Sequence, residues 1–157
     1  MSSASMLFLL RHAKAGARED NSASDRERGL TEKGRAQAEA IAKYLSKIEI
    51  DKILSSPYRR CVETVEPLAN LTGLEIVEDS ILGEDATFEG LQDIISHYFQ
   101  AVDNPKTGSS VVICTHGNVV PAIIELIGLY SNDTIRCAKG SIYEIDLVSR
   151  TVSYREF

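Results

Sequence analysis

Three apolar runs in the chain end on histidine or arginine. "LFLLRHAKAG", residues 7–16, runs four apolar residues into Arg11, His12 and Lys14. "KILSSPYRR" ends a second run in Ser55 and Ser56, with Arg59 and Arg60 just beyond. "SSVVICTHGN" ends a third in Thr115, His116, Gly117 and Asn118. Guanidinium groups are permanently charged and carry rigid donors matched to phosphate oxygens. A neutral imidazole can take a phosphoryl group and pass it to water. A second, protonated imidazole can stabilise charge on the equatorial oxygens of the transition state. Gathered in one place, two histidines and two arginines make a pocket for a compact dianion.

Singly, each residue has a plainer explanation. A histidine at a strand end is more often an ordinary hydrogen-bonding residue, and "HG" is a common dipeptide. Arg11 could be a solvated cap of a sheet, and Arg59 and Arg60 could both be surface charges on a helix. The question is whether the elements deliver these residues to the same edge.

Leu7–Leu10 reads as a short strand buried on both faces, as in a parallel sheet. Residues 16–29, "GAREDNSASDRERG", read as a polar loop, long enough to be functional. A helix is expected over 31–48, with Ala38, Ile41, Ala42 and Leu45 at helical spacing. A second strand follows at 51–56, then a helix between Pro57 and Gly73, with Pro67 predicting a kink or an early stop. A short strand is expected at 74–79, a loop at 82–86 and a helix at 87–101. Residues 109–118 carry the clearest strand, 119–130 the helix after it, and 141–148 and 151–157 a terminal hairpin turning near 149–151. Alternating strands and helices predict an α/β fold, a three-layer α/β/α sandwich around a mostly parallel sheet. Ligands in such sheets bind at the carboxyl ends of the strands, where Arg11, His12, Arg59, Arg60 and His116 all fall. Helix N-termini after Ser56 and Gly117 add backbone donors.

With 157 residues the chain is expected to form one domain, residues 1–5 being a short tail. The composition, 43% hydrophobic and 25% charged, is that of an ordinary globular protein. A net charge of −6 argues against general binding to nucleic acid or anionic membranes, so any cationic pocket must be local. Cys61, Cys114 and Cys137 are odd in number and widely spaced, which predicts neither a disulfide framework nor a zinc site. Cys114 reads as a small buried side chain. "MSSASM" is too short and polar for a signal peptide, and a cytoplasmic location is expected. His97 reads as a surface or packing residue; Lys14 either adds positive potential at the mouth of the pocket or is simply solvated, the second reading being preferred.

"LLRHAKAG", "SSPYRRCVET" and "VVICTHGN" together resemble the histidine phosphatase superfamily, the phosphoglycerate mutase-like family, in its order and across nearly the whole chain. "RHA" and the stretch "RGLTEKG", Arg28 to Gly34, are similar to its small SixA-type phosphohistidine phosphatases. The resemblance implies that His12 is the nucleophile and becomes transiently phosphorylated. It implies that Arg11, Arg28 and Arg60 bind the phosphoryl group, Arg60 being selected over Arg59 by the motif, and that His116 is the second catalytic histidine. Cys61 stands where the family has another small residue. Many members carry a carboxylic acid after the third strand to protonate the leaving oxygen; here Glu84 aligns with it, with Asp85 and Glu89 as neighbours.

The expected reaction is metal-independent hydrolysis of phosphohistidine on a signalling protein, with no cofactor. Imidazole is a weaker base than an alkoxide and leaves with less help from an acid, and short connections predict an open, shallow pocket. The alternatives are a small-molecule phosphomonoesterase of the same fold and a non-catalytic phosphoprotein-binding module; a mutase would need a longer chain.

Overall fold

A computed structural model of the chain describes residues 6–18, 20–99, 110–129 and 136–157. Its first half runs β1 (Met6–Arg11), α1 (Ser22–Arg26), α2 (Glu32–Leu45), β2 (Lys52–Ser55), α3 (Arg59–Thr72) and β3 (Ile76–Glu78). The second half runs α4 (Phe88–Phe99), β4 (Ser110–Thr115), α5 (Val119–Ile127), β5 (Ser141–Asp146) and β6 (Thr151–Glu156). Along β1, Leu7 and Leu9 face one side of the sheet and Phe8 and Leu10 the other, all four buried. β4 alternates likewise, Val111 and Ile113 against Val112 and Cys114. Strands apolar on both faces need cover on both. Leu91, Ile94, Val120 and Ile123 of α4 and α5 cover the first face; Ile41, Leu45, Val65 and Leu68 of α2 and α3 cover the second. The result is the expected three-layer sandwich.

The sheet order is β3-β2-β4-β1-β5-β6. The first four strands are parallel, while β5 and β6 add an antiparallel edge. β1 and β4 are neighbours, with Arg11 opposite Thr115. The chain leaving β1 goes to α2 on one face and the chain leaving β4 goes to α5 on the other. Adjacent strands with diverging exits open a crevice at their carboxyl ends.

Several expectations need correction. The stretch 16–29 is not loop throughout: α1 forms inside it, and the Asn21 side chain caps it by accepting from Ala23 N and Ser24 N. Pro67 does not stop its helix, which runs on to Thr72. The lost hydrogen bond is offset by burying Val65 and Leu68 on either side of the proline. The third strand is shorter than predicted, and the segment before Gly83 contains a single 3₁₀ turn, Ser80–Leu82. The expected tail 1–5, and residues 100, 101, 109 and 130 at predicted element ends, lie outside the described residues. Among those described, no helix is long and apolar enough to cross a membrane.

The start of α2 fixes the loop after β1. Thr31 caps the helix by accepting from Gly34 N at 3.1 Å, and Thr31 N donates to the Lys14 carbonyl at 2.9 Å. A Cβ at Gly34 would run into that same carbonyl. Alanine ordinarily gains about 1 kcal/mol over glycine inside a helix, but overpacking costs about 1–3 kcal/mol, and the obstacle here is backbone. Gly34→Ala is therefore expected to lower the urea midpoint, with a net loss of up to about 2 kcal/mol; an unchanged or raised midpoint would mean that the loop yields freely.

Candidate active site

His12 follows β1 and His116 follows β4, and His12 N donates to the Thr115 carbonyl at 3.0 Å. The two rings therefore meet, with centroids 5.6 Å apart. His12 Nδ1 lies 2.8 Å from the Ala13 carbonyl. A carbonyl only accepts, so Nδ1 carries the hydrogen and Nε2 the lone pair. The ring is 4% exposed. Burial lowers its pKa to about 3, and the charges of Arg60, His116 and Arg11 act in the same direction, against the Ala13 bond. At neutral pH this is an uncharged imidazole with a free ring nitrogen. Thr64 of α3 holds the segment in place: its Oγ1 accepts from Ala13 N at 2.9 Å and donates to the Arg60 carbonyl at 2.6 Å.

Arg60 sits in the first turn of α3 and is 0% exposed. Its guanidinium donates to Glu84 Oε1 at 2.6 Å and to the Asp25 carbonyl at 2.9 Å, with Asp25 Oδ2 at 3.5 Å. Arg59, beside it, is exposed and pairs with Glu63 at 3.1 Å. Arg11 donates to the Cys137 carbonyl at 2.6 Å and lies flat against Gly117, where a Cβ would stand 2.8 Å from the guanidinium carbon. Only glycine permits that approach. The polar loop bends back through a bridge between Ala15 and Leu30, which brings Arg28 to the site. Arg28 donates to Gly16 O at 2.6 Å and to Asp25 Oδ1 at 3.1 Å.

His116 Nε2 lies 2.9 Å from Ser56 Oγ and 3.7 Å from Cys61 Sγ. Its Nδ1 has no hydrogen-bond partner and lies 3.7 Å from Glu84 Oε1. Arg11 Nε and Arg60 Nε are likewise buried without an acceptor. Buried polar nitrogens are rarely left unpaired; the two guanidinium nitrogens can only donate, and donors left without an acceptor beside the crevice fit an oxyanion. The crevice opens into a cleft of about 790 Å³ whose wall includes Arg11, His12, Arg28, Glu84 and Gly117. Arg60 and His116 stand behind Glu84. Burial would raise the Glu84 pKa, but the hydrogen bond from Arg18 and the charges of Arg60 and His116 lower it on balance.

The structure thus brings together Arg11, His12, Arg28, Arg60, Glu84, His116 and Gly117. Asp85 and Glu89 are exposed and off the wall of the cleft; Lys14 is exposed and lies on it; His97 is exposed on α4. Sequence reading missed Asp25, Arg18, Ser56 and Thr64 as partners. Thr64 and Ser56 lie inside the quoted motif, whereas nothing in "SASDR" marks Asp25 as buried.

A family model described as the histidine phosphatase superfamily (branch 1) matches residues 7–106. The chain belongs to this superfamily. Among curated relatives, an 8-oxo-(d)GTP phosphatase of Mycolicibacterium smegmatis is 32% identical over 119 residues, 76% of this chain and 36% of the relative. The phosphohistidine phosphatase SixA of Escherichia coli is 30% identical over 109 residues, 68% of this chain and 65% of the relative. The match spans less than two thirds of either relative's length. A mycobacterial glucosyl-3-phosphoglycerate phosphatase structure with VO3 shares the fold, at a TM-score of 0.74 and 18% identity over 97% of this chain and 98% of that one. The span matched to the superfamily holds Arg11, His12, Arg28, Arg60 and Glu84; His116 lies beyond it and joins them through the β1–β4 pairing.

An unfolded histidine takes up its proton near pH 6.5, the buried His12 only near pH 3. Between these values the unfolded chain binds more protons, so stability falls as pH falls. The thermal midpoint is expected to drop between pH 7 and pH 4, and less steeply in His12→Asn, which has no ring to protonate. Equal slopes in calorimetry would show that the folded protein protonates His12 freely.

Proposed function

We propose that the chain hydrolyses phosphoryl groups in two steps through a phosphohistidine at His12, without metal. His12 Nε2 forms a bond to phosphorus as the bond to the leaving atom breaks, and the electron pair departs with that atom. The ring gains positive charge, which the hydrogen bond from Nδ1 to the Ala13 carbonyl stabilises. Arg11, Arg28, Arg60 and His116 hold the phosphoryl oxygens. Water then attacks phosphorus, its proton goes to a base, and His12 leaves with its lone pair restored. The observation that carries this reading is the uncharged His12 ring, its free Nε2 set among buried donors that lack acceptors. His12→Ala is expected to abolish acid-labile labelling of the protein by a phosphorylated substrate; label surviving that change would place the nucleophile elsewhere.

Two substrate classes share this chemistry. Phosphohistidine on a signalling protein is supported by the similarity to SixA and by an open cleft that could admit a side chain. A small-molecule phosphate ester is favoured by Glu84, whose carboxylate lies within the site, 2.6 Å from Arg60 and 3.7 Å from His116. An alkoxide leaving group needs a proton in the transition state, and in this reading Glu84 gives it and then takes one from water. Glu84→Gln separates the classes. It is expected to slow ester hydrolysis about a hundredfold while barely changing the turnover of a phosphohistidine-bearing domain. Equal losses on both would remove the role of Glu84 as proton donor, and faster turnover of the protein substrate by the unaltered chain would decide for phosphohistidine.

A further inference from the structure

The net charge of the chain is −6, yet the cleft is lined by Arg11, Lys14, Arg18, Arg28 and Lys139, with Glu84 the single acid on its wall among the described residues. The arginines are already engaged. Arg18 bonds Glu84 at 3.2 Å, Arg28 bonds Asp25, and Arg11 bonds the Cys137 carbonyl. Lys14 and Lys139 have no carboxylate within ion-pair distance among the described residues. Burial lowers the Lys139 pKa, and repulsion from Arg11, Arg28, Lys14 and Arg18 lowers it further. Like charges held together without a counter-charge cost free energy.

Their proximity is built in. Gln37, on α2, accepts from Lys14 N through Oε1 at 2.9 Å and donates through Nε2 to the Lys139 carbonyl at 3.0 Å. One amide side chain therefore clamps the two lysine-bearing segments to each other. Gly140, next to Lys139, donates to the His12 carbonyl at 3.0 Å, tying the same segment to the nucleophile's backbone. A cleft of about 790 Å³ is also far roomier than one phosphoryl group needs and falls within the range of small-ligand sites.

We propose that Lys14 and Lys139 form a second anion subsite, for a phosphate other than the one His12 receives, so that preferred substrates are small molecules bearing at least two phosphates. The proposal rests on the His12 reading and takes its small-molecule branch. Gln37 is a positioning residue for the pair. The second phosphate could adjoin the transferred one in a diphosphate or sit on another carbon, and the same lysines would serve both.

Binding of non-hydrolysable probes tests the subsite apart from the chemistry. Calorimetry would compare methylphosphonate with methylenediphosphonate, whose phosphonates adjoin, and with propane-1,3-bisphosphonate, whose phosphonates are separated. At least one bisphosphonate is expected to bind about tenfold tighter than methylphosphonate, roughly what one charged hydrogen bond contributes, and which one does so identifies the spacing. The advantage is expected to vanish in K14Q/K139Q, persist in K14R/K139R, and shrink in Gln37→Leu. Bisphosphonates binding no tighter than methylphosphonate, or an advantage untouched in K14Q/K139Q, overturns the subsite. The His12 reading fails separately, by absence of acid-labile label on the unaltered protein.

Discussion

A guanidinium that no solvent reaches organises this site. Arg60 is wholly buried, so its charge must be matched within the protein, and an unmatched one would cost several kcal/mol. The match comes from two segments distant in sequence: Asp25 on α1 and Glu84 beyond β3. Neither would otherwise be drawn to the sheet edge. Asp25, itself buried, also holds Arg28, so one carboxylate positions two guanidinium groups. Residues 20–29 of the polar stretch are held for this reason: α1 is too short to stand alone, and its aspartate is fixed by Arg60 and by Arg28.

The backbone does the complementary part. Because β1 and β4 are adjacent and parallel, the residues after each strand are side by side, and the chain leaves them toward opposite faces. The crevice so formed puts an uncharged imidazole next to permanent cations. The same cations help keep His12 unprotonated, since each opposes a further positive charge. In the proposed reaction, oxyanion binding and nucleophile activation draw on one electrostatic arrangement.

Much of this was legible in the sequence, and the reasons are specific. His12, Arg60 and His116 follow runs whose apolar character on both faces demands a buried parallel strand, and the strand-end rule does the rest. The motif separated Arg60 from Arg59, which differ by one helical position and hence by which side faces the sheet. Asp25 was not legible, because its burial depends on a partner 35 residues on and leaves no local pattern. Nothing local in the sequence marks Gln37, although its amide joins Lys14, Lys139 and the Phe157 carbonyl. Of the two outcomes that Pro67 suggested, the early stop does not occur, because the local rule leaves out the burial of Val65 and Leu68 that favours continuing the helix.

Glu84 links the resting site to the proposed reaction. Its Oε1 lies against Arg60 and near His116 Nδ1, where a phosphoryl oxygen would be held. A carboxylate there gives the buried guanidinium a counter-charge while no substrate is present. In the proposed reaction an arriving dianion would bring more charge, satisfy the orphaned nitrogens of Arg11, Arg60 and His116, and displace the carboxylate from those donors. Once Glu84 yields Arg60, it loses a cation that holds its pKa down and gains a negative neighbour, and both changes favour protonation. In the proposed reaction, seating the substrate is the event that would ready Glu84 as the acid, and departure of phosphate would return the carboxylate to its guanidinium.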